Sequence, residues 1–175
     1  MRRLVFVVLL AASGLFLISC AHTKNENDPL AIEAKNEIAA QEEGLAPDFK
    51  LPDFSGKFHT LSEYRGRQPV LLFFWTTWCP FCQKEIKKIS DRSVELANAG
   101  IEVLTINSGE PRSRVQRFLQ SRKINLKTLG DEDTSVSNSY GILGVPTFYL
   151  VDKKGKIIFE GNKFPENYKE LISKK

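Results

Sequence analysis

Apolar positions along the chain fall into runs of two kinds. Residues 70–75 are apolar at every position, and Ile101, Val103, Leu104 and Ile106 dominate residues 101–107. Such runs predict strands covered on both faces. Residues 80–99 predict a helix, with Ile86, Ile89, Val94 and Ala97 near one face and Lys84, Lys87, Lys88, Asp91 and Glu95 mostly elsewhere. Pro80 suits its first turn and Gly100 its end. Residues 111–123 predict a second helix with Val115, Phe118 and Leu119 inward; its Arg112, Arg114, Arg117 and Arg122 read as a solvated face or a site for an acidic partner.

The remaining elements are shorter. Residues 46–54 alternate weakly and carry Pro47 and Pro52, which suits an edge strand. A turn at 55–57 leads to a strand at 57–60, and residues 61–64 form one helical turn before Gly66. A short strand at 127–129 and a weak helix at 134–140 follow. Residues 147–151 and 156–160 flank Asp152-Lys153-Lys154-Gly155, a hairpin signal, and 165–173 predict a closing helix. Helical crossovers imply parallel strands and the last hairpin an antiparallel pair, so the expected class is α/β, a central mixed sheet flanked by helices with an N-terminal hairpin extension.

The amino-terminal pattern is different. Met1-Arg2-Arg3 precedes an unbroken apolar run over residues 4–10 that continues through Ala11, Ala12 and Leu15 to Ile18. About 15 apolar residues fall short of the ~20 that a membrane span needs and suit a signal segment. The run ends Leu17-Ile18-Ser19-Cys20, which resembles a bacterial lipobox with Cys20 as the diacylated first residue of the mature chain. A plain signal peptide with an incidental cysteine is the alternative. The expected organisation is a lipoprotein signal peptide at 1–19, a tether at 20–44 and one domain at 45–175. Leu30, Ala34 and Ile38 give the tether a weak helical pattern, open to a spacer or a partner-binding helix.

Composition adds limits. At 42% hydrophobic and 26% charged residues, the chain can bury a core. The formal net charge is only +4, with Arg2 and Arg3 in the leader, so no nucleic-acid surface is implied. If Cys20 carries lipid, only Cys79 and Cys82 remain of three cysteines, and they face an oxidising side of a membrane.

Cys79 and Cys82 stand three apart where the apolar run ends and the long helix begins. Positions i and i+3 share a helix face, so a disulfide can close there. Cys79 meets the positive end of the helix dipole and free backbone amides, which favour a thiolate. Cys79 is therefore the expected nucleophile and Cys82, one turn in, the resolver. An inert disulfide or half a zinc site are the other readings. So small a loop gives little stabilisation by loop entropy, and His22 and His59 form no ligand pattern, so no metal is expected. The acidic stretch from Asp131 has Val136 and Ile142 where a calcium loop needs Gly and Glu.

Trp78-Cys79-Pro80-Phe81-Cys82 after an apolar strand, with Ala46-Pro47-Asp48-Phe49 upstream and Gly144-Val145-Pro146-Thr147 downstream, resembles the thioredoxin-like fold. More narrowly it resembles the TlpA/ResA-like group of membrane-tethered, extracytoplasmic thiol-disulfide oxidoreductases. The resemblance covers roughly residues 46–175. It implies a cis Pro146 beside the cysteines and a Val145 peptide group that pairs with bound substrate. It also implies that Glu85, six residues after Cys79, tunes the thiols and shuttles a proton; an ordinary exposed helix glutamate is the alternative. Trp78, Pro80 and Phe81 would contact substrate. The implied partners are disulfide-containing exported proteins, apocytochrome c among them, and a membrane electron donor; no cofactor is implied. The chain departs from the pattern at Phe73, where thioredoxin keeps a buried Asp, and at Lys87, where many relatives have Pro. A thiol oxidant, and a docking module with a structural disulfide, remain the alternative functions.

Overall fold

The computed structural model describes residues 44–174. The signal segment, Cys20 and the helical pattern of the tether lie outside them.

A five-stranded mixed sheet organises the described residues. Its centre is β3 (Val70–Trp75), parallel to β4 (Glu102–Ser108) and antiparallel to β6 (Thr147–Val151). The edges are β5 (Thr128–Asp131), parallel to β4, and β7 (Ile157–Gly161), antiparallel to β6. An N-terminal hairpin, β1 (Lys50–Pro52) with β2 (Phe58–Thr60), forms its own two-stranded sheet. Single bridges, Leu45 to Lys156 and Asp53 to Leu129, tie this segment to both sides of the main sheet.

The continuous apolar run of β3 is explained by its two covered faces. Leu71, Phe73 and Trp75 point into one core, and Val70, Leu72 and Phe74 into the other. The first core takes in α1 (Pro80–Asp91), α2 (Ser93–Asn98), α3 (Arg112–Ser121) and the closing helix α5 (Tyr168–Ser173), through Ile86, Leu96, Val115 and Tyr168. The second holds Phe49, Leu51 and Leu61 of the N-terminal segment and Val136 of α4 (Ser135–Ser139).

The helix expected over 80–99 is two helices. It breaks at Arg92 (φ −100°, ψ 6°). The guanidinium of Arg92 bonds Glu95 at 2.9 Å and Glu166 at 2.7 Å and lies 4.6 Å from the centre of the Phe164 ring. The break shifts the helical phase. Val94 is 70% exposed and Ala97 also faces solvent, whereas Leu96 is the buried residue. A periodicity taken across the break therefore assigns the wrong face. The arginine face of α3 is also not purely solvated: Arg112 donates to the Phe54 carbonyl and lies over the Phe54 ring, joining α3 to the hairpin.

Candidate active site

The strand β3 ends at Trp75, and a short loop, Thr76-Thr77-Trp78, leads to Cys79, the N-cap of α1. Pro80 occupies the first turn, where the missing N–H costs no hydrogen bond. The Cys79 sulfur accepts a hydrogen bond from the Cys82 N–H at 3.2 Å, one of the free amides of the helix start. Both cysteines are free thiols and both are buried, Cys82 completely. Burial pushes the Cys82 thiol up, and the adjoining Cys79 sulfur adds to this, to about 12; a hydrogen bond from the Thr76 backbone works the other way. Cys79 is thus the outer sulfur and Cys82 the inner one, held protonated.

The Val145–Pro146 peptide bond is cis. The Val145 carbonyl accepts from the Cys79 thiol at 3.7 Å, so residues 66 apart in sequence meet at the helix start. Val145, Pro146, Phe81 and Glu85 line one cleft of about 550 Å³, which Lys84 and Lys163 flank. Glu85 is half-buried, and its Oε2 atom is enclosed with no hydrogen-bond partner among the described residues. Pro80 faces away from this cleft, into a second groove with Lys84, Lys87, Phe118 and Arg122. Trp78 is 67% exposed and Phe81 70% exposed, whereas Trp75 is wholly in the core.

Three residues on or beside the loops of the site carry no signal in the sequence pattern. Glu110 is only 5% exposed and bonds the Thr77 amide and hydroxyl, each at 2.6 Å. Gln83 donates to the Thr77 carbonyl at 2.8 Å. Leu143, two residues before Val145, is fully exposed. Only the position of Glu110 after a strand rich in buried residues hinted at it; an acid there reads as a loop residue. The site of thioredoxin's acid is filled by Phe73, stacked on Phe148 at 4.5 Å and fully buried.

A strand, a thiol pair at the next helix start and a cis-proline loop beside it form a dithiol site. The model of the AhpC/TSA family matches residues 43–160. The chain belongs to the AhpC/TSA family. Within it, the chain is a ResA-type thiol-disulfide oxidoreductase with a thioredoxin-like fold. It is 32% identical to the thiol-disulfide oxidoreductase ResA of Geobacillus thermodenitrificans over 98% of this chain and 92% of that one. It is 33% identical to the ResA protein of Geobacillus kaustophilus over 90% and 83%. Among solved structures, a protein of Chlorobium tepidum assigned as thiol:disulfide interchange protein DsbE superposes with a TM-score of 0.63 at 28% identity, covering 72% of this chain and 88% of that one. StoA of Bacillus subtilis shares the fold, with a TM-score of 0.63 at 23% identity over 73% and 98%.

Proposed function

We propose that this oxidoreductase reduces disulfides of exported proteins, apocytochrome c among them, from a lipid anchor at Cys20 on the extracytoplasmic side of a bacterial membrane. The reading rests above all on one arrangement: an outer sulfur at a helix N-terminus, backed by an inner, protonated sulfur one turn away. The Cys79 thiolate attacks a substrate sulfur. The substrate S–S bond breaks, and its leaving sulfur takes a proton. Cys82 then gives up its proton and attacks Cys79, releasing the second substrate thiol and closing the Cys79–Cys82 disulfide. A membrane donor returns two electrons and two protons to regenerate the dithiol.

Substrate would lie against Trp78 and Phe81, with its backbone on the Val145 peptide group and its side chains in the cleft before Pro146, and would reach Pro80 only where it extends over the neighbouring groove. Glu85 sits in that cleft as the acid–base group, since Phe73 supplies none. Pro80-Phe81 places no cation between the cysteines to favour the reduced thiolate, which supports a reductant over an oxidant. The test is Cys82→Ser in the full chain. Mixed disulfides with exported proteins accumulate on Cys79 and disappear under reductant. If none form, and if Cys79→Ser reduces insulin as fast as the parent, the mechanism is wrong.

A further inference from the structure

The loop that delivers Cys79 is gripped from both sides at one residue, Thr77. Glu110, just beyond β4, takes the Thr77 N–H on Oε2 and the Thr77 hydroxyl on Oε1, each at 2.6 Å. The same Oε2 accepts Asn107 Nδ2 at 2.8 Å. From the other side, Gln83 of α1 donates to the Thr77 carbonyl at 2.8 Å. Every hydrogen-bonding group of Thr77 is thus taken by a side chain, and Cys79 follows two residues later.

The choice of residue is informative. A carboxylate is the acceptor-only group that can take three donors at once. An amide at the same place has one oxygen for the two N–H donors, and its NH2 faces the Thr77 hydroxyl, which must then turn to accept. Burying a carboxylate is costly unless it is well bonded, and the one cation paired with it among the described residues, Arg114, is exposed and 3.8 Å away. Other unpaired polar atoms crowd the same junction: Thr76 Oγ1 and Asn107 Oδ1 are buried with no partner among the described residues. A loop needed only for connection would not have to bury these groups.

Taking the Cys79–Cys82 pair as the redox couple, we infer that Glu110 is a positioning residue that fixes the Thr77 loop and thereby sets the dithiol–disulfide equilibrium of the pair. A fixed loop holds the Cys79 sulfur at the distance that Cys82 must reach, which favours ring closure. This stabilises the disulfide and makes the couple more reducing.

The experiment is equilibration of the purified full chain with glutathione, in which the dithiol and oxidised glutathione exchange with the disulfide and two reduced glutathiones. The parent is compared with Glu110→Gln, Thr77→Val and Thr77→Ser, each checked for a cooperative thermal transition. Glu110→Gln moves the equilibrium constant at least tenfold toward the dithiol, about 30 mV. Thr77→Val removes only the hydroxyl and moves it the same way by about threefold, and Thr77→Ser, which keeps the hydroxyl, restores the parent value. If Glu110→Gln does not fold, Thr77→Val decides. A folded Glu110→Gln or Thr77→Val variant within a factor of about 1.5 of the parent, or one shifted toward the disulfide, overturns the inference. A parent that never cycles between dithiol and disulfide removes its premise and also refutes the reading of the pair as a redox couple.

Discussion

The two thiols differ in what the fold does to them, and alkylation of the native dithiol reads that difference. The Cys82 thiol is fully enclosed and pushed up to about 12 by burial and by the Cys79 sulfur. At pH 8 a thiol of that kind is ionised in roughly one molecule in 10⁴, against about a quarter for a free thiol near 8.5, so its alkylation is slower by on the order of 10³ before any steric barrier. The reduced chain is treated with iodoacetamide at pH 8, with and without ~8 M urea to denature it, and labelled peptides are quantified against time. Cys79 labels in the native chain, and Cys82 labels only in urea. Cys82 holds its proton more tightly folded than unfolded, so its contribution to stability is intact below the ordinary thiol range and lost as pH rises from about 9 toward 12, in the dithiol but not in the disulfide. Labelling of native Cys82 within ~10-fold of its rate in urea, two decades short of the expected gap, would refute this difference between the thiols.

Two further outcomes are expected. In Glu85→Gln the carboxylate that lines the cleft is gone, and alkylation of Cys79 at pH 6 quickens by about three- to tenfold; an unchanged rate across pH 5–8 (roughly the range in which thiolate fraction is set by nearby charge) would show that Glu85 does not act on the thiols. Asp53 governs acid stability of the hairpin: burial opposes its ionisation, but hydrogen bonds from Ser55, His59 and Lys57 outweigh this and hold its carboxyl well below the usual range. Its stabilisation is therefore full above about pH 4 and is lost as pH falls further, so thermal unfolding from pH 6 to 2 (about the carboxylate window) drops more steeply for the parent than for Asp53→Asn, and parallel curves would refute the assignment.

What could be read directly from the chain is what neighbouring residues decide together. The run Val70–Trp75 announced a strand with two covered faces, because apolar side chains on both sides of a pleat need two cores. The thiol pair and Pro80 announced a helix start, because capping and dipole effects act within one turn. The hairpin at Asp152 to Lys156 was legible from its turn residues, whose backbone amides the Asp152 carboxylate binds. The cis Pro146 and its place beside Cys79 came only through the family resemblance, since an isolated X-Pro bond does not declare its isomer.

The features decided by tertiary structure join residues far apart in sequence. Glu166 lies 74 residues from Arg92, yet it helps hold the residue at which the expected long helix breaks, so Leu96 and not Val94 enters the core. Glu110 reaches Thr77 across 33 residues, and neither position alone suggests the other. Local pattern reports which faces must be buried and where a helix can begin. It is silent on which buried charge meets which loop, because that depends on the sheet that sets the ends of β3 and β4 side by side.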